Sequence, residues 1–170
     1  MDTFLTIASR RETRDFSDRP LPGEVVERIL DAGRLSGSSQ NKQPWTFLIV
    51  ESPDRREALA EAVYEPGNVR GAQLVVAIVM AGKGPTSFDA GRAAQNMLLA
   101  AWNEGIGGVP NGVADEARAR EVLGLGNDDK LPIVLTFGYP AKSRDPDSRP
   151  PREWSARAKR KALDEVVRRI

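Results

Sequence analysis

The chain has 170 residues, of which 40% are hydrophobic and 29% charged, a composition typical of a soluble globular protein of one domain. It contains no cysteine and no histidine, which excludes disulfides, thiolate catalysis, serine–histidine triads and Cys/His metal sites. No dense Asp/Glu cluster indicates a carboxylate metal site either, so no metal is expected. If the protein is an enzyme, its chemistry therefore belongs to a cofactor.

Charge is spread unevenly over the chain. Residues 142–170 contain ten Lys/Arg and five Asp/Glu and have a net charge of +5. The rest of the chain has a net charge of −4, so the whole chain has a net charge of +1. Such a basic tail could bind nucleic acid, a cofactor phosphate or an acidic partner, although a solvated helical face is the commoner meaning. Trp154 is its sole aromatic residue and the chain is not strongly basic, which argues against nucleic acid.

Nothing in the hydropathy pattern indicates membrane association. The longest strongly apolar stretch, residues 74–81, is far too short to cross a bilayer. The first residues show no basic start followed by an apolar core, so we expect no signal peptide and a cytoplasmic protein.

Apolar periodicity and capping residues predict the elements in chain order. Helices are predicted for residues 2–9, 21–37, 54–63, 87–104 and 114–123, with a basic helix or helical tail at 152–170. Strands are predicted for residues 45–50, 74–80 and 131–137, the second buried on both faces. Loops are predicted for residues 38–44 and 64–71, a glycine-rich loop for 107–112 and a polar linker for 142–151. We expect one α+β domain over residues 1–170, with about 142–170 as a basic extension.

Four segments resemble FMN-dependent nitroreductases, in the order and at the spacing of that family. Residues 10–16 (Arg-Arg-Glu-Thr-Arg-Asp-Phe) resemble its Arg-Arg-Ser-x-Arg-x-Phe opening, and residues 38–45 resemble its Pro-Ser-x-x-Asn-x-Gln-Pro-Trp loop. Residues 95–101 resemble the Gln-Asn-Leu-Leu-Leu-Ala-Ala core of its long helix, and residues 137–140 its Leu-Gly-Tyr-Pro. Residues 160–163 match its terminal Arg-x-Pro-Leu more weakly. Single short motifs are poor indicators, but five together are hard to attribute to chance.

The resemblance implies a nitroreductase-like fold, with a central mixed sheet flanked by helices and a homodimer with exchanged tails. It also implies FMN at the subunit interface, reduction by NADH or NADPH, and ping-pong transfer to a nitroaromatic or quinone acceptor. No catalytic side chain is expected, because N5 of the flavin carries the chemistry. Alternatives are ene reduction, dehalogenation or dehydrogenation on the same fold, a deazaflavin donor, or a non-catalytic flavin-binding dimer.

The resemblance places the FMN phosphate on Arg10 and Arg160 and the ring edge near Arg14, with Arg11 and Glu12 in the same motif. Arginine suits bidentate phosphate contacts. Glu12 departs from the small hydroxyl residue usual there, and its carboxylate would repel a phosphate. The plainer alternative is a solvated loop in which these charges pair with one another.

The remaining candidate residues would contact the flavin ring. They are Ser38, Ser39 and Asn41 from the opposite subunit, Pro110, Asn111 and Gly112 against one face of the ring, and, more loosely, Asn68 and Arg70. Ordinary turns are the plainer alternative for both loops.

Two further expectations concern surfaces. The helix at residues 87–104 is apolar over so much of its surface that we expect it to pack against a second copy. Few residues are available as a lid, so we expect an open acceptor cleft near Tyr64, Phe88 and the partner's loop at residues 40–42. Residues 82–84 (Gly-Lys-Gly) lack the Lys-Ser/Thr of a nucleotide phosphate loop.

Overall fold

Four strands form one sheet in the order β1-β2-β4-β3 in the computed structural model, which describes residues 2–170. They are Trp45–Ile49 (β1), Leu74–Met80 (β2), Gly107–Asn111 (β3) and Lys130–Gly138 (β4). All three neighbouring pairs are antiparallel. The α+β class is therefore confirmed, whereas the expectation of a mixed sheet is wrong for these strands. Parallel pairing occurs at an isolated bridge between Glu12 and Gly108.

Eight α-helices and two 3-10 turns accompany the sheet in the described part of the chain. The helices are Thr3–Ser9 (α1), Gly23–Arg34 (α2), Pro53–Ala60 (α3), Pro66–Arg70 (α4), Thr86–Asn103 (α5), Glu116–Leu123 (α6), Pro151–Arg157 (α7) and Leu163–Val166 (α8), and the 3-10 turns are Ser39–Asn41 and Pro146–Ser148. Asp2, Ser52 and Asp115 cap α1, α3 and α6 by accepting a backbone N–H. None of the helices within residues 2–170 has the length and apolar composition that a bilayer crossing requires.

The two faces of β2 belong to two different hydrophobic cores. All seven residues of β2 are buried, as its continuous apolar run predicts. Leu74, Val76 and Ile78 pack into one core with apolar residues of α2 and α5, while Val75 and Ala77 pack into the other with Leu59 and Ala119 of α3 and α6. Because side chains alternate along a strand, one strand supports helices on both sides of the sheet.

The chain divides into two compact units, each with its own internal contacts. The larger unit, Glu12–Ser143, contains the sheet and helices α2 to α6. The smaller unit consists of two segments, the residues up to Arg11 and Arg144–Ile170. Within it, α1 packs against α7. Trp154 is its buried centre, with its indole N–H donating to Pro146 O at 2.8 Å.

Three predicted segments differ from the structure. Residues 107–112, predicted as a loop, contain strand β3, because pairing with β4 overrides the turn-like composition. Residues 64–71 contain the short helix α4, which begins with Pro66 at a position where proline costs no hydrogen bond. The basic tail is not one helix, since α7 ends at Arg157 and Lys159 has a φ of 51°.

The apolar surface of α5 is covered within the same chain. Ala90, Ala94, Met97 and Ala101 lie in the core that α5 shares with α2 and the sheet. Gly105 follows the helix with a φ of 75°, as expected of a glycine that ends a helix. The apolar character of α5 therefore gives no argument for a second copy.

Candidate functional site

The segment after the first arginines is fixed along β3. Glu12 forms its bridge with Gly108, and the Thr13 N–H donates to Gly108 O at 3.3 Å. A Cβ on Gly107 would collide with the Thr13 side chain, so a glycine is required there. This places Arg14, which is exposed, directly after a backbone segment held on β3.

Asn111, expected at the flavin, turns its side chain into the protein. Its Nδ2 donates to Val109 O, Val134 O and Thr136 Oγ1 at 3.1–3.2 Å, and its Oδ1 accepts from Asn68 Nδ2 at 2.7 Å. Both amides are buried. With the Asn111 amide fully engaged, only its backbone remains to contact a ligand. Asn68 and Asn111, predicted from different segments, are thus brought together.

The end of β3 packs closely against Tyr64. Gly112 O accepts from the Tyr64 N–H at 3.2 Å, and a Cβ on Gly112 would lie 3.1 Å from the Tyr64 ring. Pro110 is exposed next to it. Tyr64 is 72% exposed, so an open aromatic surface lies beside the Pro110–Gly112 backbone.

The loop before β1 has an unusual backbone. Gln40, Asn41 and Gln43 have φ values of 53°, 53° and 49°, the left-handed region that side chains other than glycine seldom adopt. Ser38 Oγ accepts from the Gln43 N–H at 2.8 Å, and the Ser39 N–H donates to the buried carboxylate of Asp89 at 3.2 Å. Strain of this kind is typical of functional loops, which the surrounding structure must hold.

The Arg70 side chain, expected at the flavin, forms ion pairs with glutamates of its own chain. Its guanidinium donates to Glu57 at 2.6–3.0 Å and also to Glu61. The hydrogen bond from Arg70 lowers the pKa of Glu57, and the same hydrogen bond raises the pKa of Arg70. Although α4 carries both Asn68 and Arg70, the two side chains have different partners. Any contact between Arg70 and a cofactor would compete with these carboxylates.

Arginines gather in the smaller unit. The Arg11 guanidinium donates to Ala8 O, Arg10 O and Trp154 O at 2.7–3.0 Å and lies over the Trp154 ring. Burial lowers the pKa of Arg11, and the positive charges of Arg144, Arg160 and Arg10 lower it further. Arg10 is partly buried at the end of α1, and Arg160 is exposed. Three further guanidinium groups therefore lie close enough to Arg11 to repel its charge, and an anion bound there would offset this repulsion.

Several contributing residues were not predicted. Asp89 accepts a hydrogen bond from the strained loop, and Thr136 accepts one from the buried Asn111 amide. Trp154 contacts Arg11 and also Arg144 and Arg149, whose guanidinium groups lie 5.9 and 5.1 Å from its ring centre. Asp89 is a charged residue on the apolar face of a predicted helix, which was a usable signal. Within residues 2–170 no group of three or more acidic residues could hold a metal ion.

Comparison with known proteins identifies the family. The model of the Nitroreductase family matches residues 7–84 and 84–139, well over half of the chain. The chain belongs to the nitroreductase family. The matched part of the chain contains all candidate residues from Arg10 to Gly112, whereas Arg160 lies beyond it.

The similarity to known proteins extends over most of the chain. An Archaeoglobus fulgidus protein, named as a proposed NADH dehydrogenase/NAD(P)H nitroreductase, is 35% identical over 150 residues, 82% of this chain and 86% of that protein. A protein of the same name from Methanothermobacter thermautotrophicus is 30% identical over 152 residues, 84% of this chain and 80% of that protein. A proposed nitroreductase of Desulfovibrio desulfuricans, solved in complex with FMN, superimposes with a TM-score of 0.84 at 26% identity, over 98% of this chain and 95% of that one.

Proposed function

We propose that the protein is an FMN-dependent oxidoreductase that takes electrons from NADH or NADPH and reduces nitroaromatic or quinone acceptors in a ping-pong cycle. The observation that carries this proposal is the gathering of Arg10, Arg144 and Arg160 around Arg11. A phosphate dianion compensates such mutual repulsion and accepts several charge-assisted hydrogen bonds. The related proteins named for NAD(P)H nitroreductase and the neighbour solved with FMN support the same conclusion.

The residues of the chain fit FMN in chemical type. Arg10 and Arg160 would hold the phosphate, and Arg11, which is held on Trp154, would add positive charge beside them. When bound, FMN supplies hydride chemistry, from the nicotinamide donor to the acceptor in two half-reactions. The exposed Arg14 supplies positive charge close to the ring edge, which favours the reduced, anionic form.

The ring would rest on backbone rather than on reactive side chains. Gly107 and Gly108 are buried against Thr13 and Phe137, so the accessible backbone is at the end of β3, where Pro110 is exposed and Gly112 is half-buried. Asn68 keeps its Oδ1 as an acceptor because its Nδ2 is bound to Asn111. We further propose a homodimer in which Ser38, Ser39 and Asn41 serve the flavin of the other chain. Glu12 and Arg70, both exposed, remain proposed contacts at the edge of the site.

The absorption spectrum of the purified protein tests the proposal. We expect flavin bands that bleach on anaerobic addition of NADH or NADPH and recover on addition of a nitroarene or a quinone. A protein that purifies without flavin and takes up none from added FMN would refute the proposal. Flavin that binds but is never bleached by either donor would instead indicate a non-catalytic flavin-binding protein.

Acceptor choice and assembly need separate measurements. Tyr64 and Phe88 are 72% and 66% exposed, so the surfaces expected to line the acceptor cleft are open. An open surface provides little differential binding, and we expect quinones and nitroaromatics to react with similar kcat/KM. Preference for a halogenated or enone substrate by several orders of magnitude would favour the alternative chemistries. Light scattering of the flavin-loaded protein at micromolar concentration tests the dimer, which a stable monomer would exclude.

A further inference from the structure

Two hydrogen bonds join α5 to the segment that leads from α2 into the strained loop before β1. At the start of this segment, Ser36 Oγ accepts from Asn96 Nδ2 at 2.8 Å. At its end, the Ser39 N–H donates to Asp89 Oδ2 at 3.2 Å. Ser36 and Asp89 are 6% and 2% exposed, so each hydrogen bond has one buried partner. All four residues belong to the larger unit.

The Arg92 guanidinium lies between these two hydrogen bonds. It is so close to Gly37 that a Cβ at that position would collide with it, and the three atoms nearest to such a Cβ all belong to Arg92. The Arg92 Nη1 is 3.9 Å from Asp89 Oδ1, and the guanidinium lies 5.7 Å from the centre of the Phe88 ring. This close approach of side chain and backbone depends on glycine at position 37.

The spacing of the three contacts matches on both sides. Residues 89, 92 and 96 are three and four positions apart, so they lie along one face of α5 over about 10 Å. An extended chain covers about the same distance from residue 36 to residue 39. Ser38 has extended backbone angles, with φ −135° and ψ 160°. The segment therefore runs along α5 in the direction opposite to the helix, with one contact at each turn.

These contacts supply the support that a strained loop requires. The left-handed backbone of Gln40 and Asn41 persists only where the surrounding structure holds it. Within the loop, Ser38 Oγ accepts from the Gln43 N–H at 2.8 Å, and Ser38 O accepts from the Asn41 N–H at 3.0 Å. The peptide that follows Ser38 is the one bound to Asp89. The orientation of the whole loop therefore depends on α5.

The buried carboxylate of Asp89 suits this purpose better than a neutral side chain. Burial of a carboxylate is costly, but Asp89 lies in the first turns of α5, an 18-residue helix. The positive partial charge at a helix N-terminus favours a negative charge there. Hydrogen bonds to an ionised acceptor are roughly twice as strong as those between neutral groups. Asp89 therefore holds the Ser39 N–H more firmly than an amide could.

We propose that three side chains of α5 are positioning residues, namely Asp89, Arg92 and Asn96. They hold residues 36–39 on the helix and thereby fix residues 38–41 at the flavin of the other chain. The effect on the flavin rests on the proposed function, whereas the hold on the loop does not. The three side chains act through the loop, so their loss changes the reaction of bound flavin without removing a phosphate contact.

Amide hydrogen exchange of the flavin-free protein tests the hold on the loop. Asp89→Ala removes the acceptor of the Ser39 N–H, and we expect exchange of this amide to accelerate at least about tenfold. Asp89→Asn keeps an acceptor oxygen without the charge and should give an intermediate rate. Gln95→Ala, on the exposed side of α5, is the matched control and should leave the rate unchanged. Equal exchange of Ser39 in the wild type and in Asp89→Ala would overturn the proposal.

Reduction of the flavin in a single turnover tests the effect on the reaction. With saturating FMN and NADH or NADPH, we expect flavin reduction in Asp89→Ala to be at least about tenfold slower, because small displacements of reacting groups are costly. The visible absorption bands of the flavin should shift as well, and Asp89→Asn should lie between Asp89→Ala and the wild type. A lower unfolding temperature with unchanged rate and bands would show a merely structural role and overturn the proposal.

Failure of the proposed function has a different signature. If the wild type takes up no FMN, the oxidoreductase function is refuted, and the effect on the flavin is refuted with it. The exchange rate of the Ser39 amide then still decides whether α5 holds the loop.

Two double variants test the other contacts. Gly37→Ala should displace the Arg92 guanidinium and slow flavin reduction about threefold to tenfold. Arg92→Ala leaves room for the new Cβ, so the double variant should react no more slowly than Arg92→Ala alone. Ser36→Ala and Asn96→Ala remove the same hydrogen bond, and their effects on flavin reduction should also be less than additive. Losses that multiply independently in both pairs would overturn the assignment of Arg92 and Asn96.

Discussion

The Asn68 side chain donates a hydrogen bond of 2.7 Å to Oδ1 of Asn111, and both amides are almost fully buried. Since Asn111 Nδ2 faces Val109 O, Val134 O and Thr136 Oγ1, its Oδ1 is fixed toward Asn68. Asn68 must then direct its own Oδ1 away from this network. The pair thereby links strand β3 to helix α4 and sets the orientation of a carbonyl acceptor at the candidate site.

Replacing Asn111 by alanine should destabilise the protein by about 1–3 kcal/mol, because Asn68 Nδ2 loses its acceptor in a buried position. The measurement is the free energy of unfolding in urea. Asn103→Ala, at the exposed end of α5, is the control and should change it by less than about 0.5 kcal/mol. A double-mutant cycle with Asn68→Ala should give a coupling energy of about 0.5–3 kcal/mol, and strict additivity would contradict the network.

The strained loop before β1 predicts an unusual response to glycine. Gln40 has a φ of 53°, so Gln40→Gly relieves a left-handed conformation, and the expected gain is partly offset by the greater freedom of glycine in the unfolded chain. We expect a change between zero and about 1 kcal/mol of stabilisation. Gln95→Gly, on the exposed side of α5, should instead destabilise by about 1 kcal/mol. Equal losses in thermal unfolding for both variants would show that Gln40 is unstrained.

The phosphate assignment predicts the loss of cofactor in Arg10→Ala with Arg160→Ala. Each guanidinium–phosphate contact should contribute about 1–3 kcal/mol, so the double variant should purify with little flavin and take up FMN weakly. Circular dichroism would verify that it is folded. Arg55→Ala with Arg118→Ala removes the same charge from the larger unit and should retain FMN. Stoichiometric flavin in the first variant would mean that the phosphate lies elsewhere.

The ion pairs of Arg70 predict a pH dependence of stability. The hydrogen bond from Arg70 lowers the pKa of Glu57 below its ordinary value of 4.5. The ionised pair therefore stabilises the folded state above that value, and this contribution disappears as the pH falls through the lowered pKa. The urea midpoint of the wild type should exceed that of Arg70→Ala at pH 7, and the difference should shrink once the pH falls below 4.5 and vanish at an acid pH where Glu57 is protonated. A difference that persists at that pH would assign the effect of Arg70 to packing.

Elements with strong local signals were predictable from the sequence. The apolar run of β2 and the i, i+3, i+4 pattern of α5 both depend on residues close in the chain, and both are confirmed. Strand β3 was missed because Gly107, Gly108 and Pro110 favour a turn locally. Its strand conformation comes from pairing with β4, a partner remote in sequence.

The candidate site was predictable in its residue types but less so in their roles. The motifs indicated Asn68 and Asn111, yet that the two amides bind each other depends on how α4 packs against β3. Arg70 has the charge expected of a cofactor contact, but its guanidinium group forms ion pairs with Glu57 of α3 and with Glu61, which follows α3. The contributions of Trp154 and Asp89 follow from burial, which a single sequence does not show directly.

The strand order also has a consequence for synthesis on the ribosome. Strand β2 lies between β1 and β4, and roughly fifty residues separate its end from the start of β4. At translation rates of about 5–20 residues per second, β4 is synthesised several seconds after β2, and one edge of β2 stays unpaired for that time. During that interval the nascent chain presents an unpaired hydrophobic strand, the kind of surface on which chains associate and which chaperones bind.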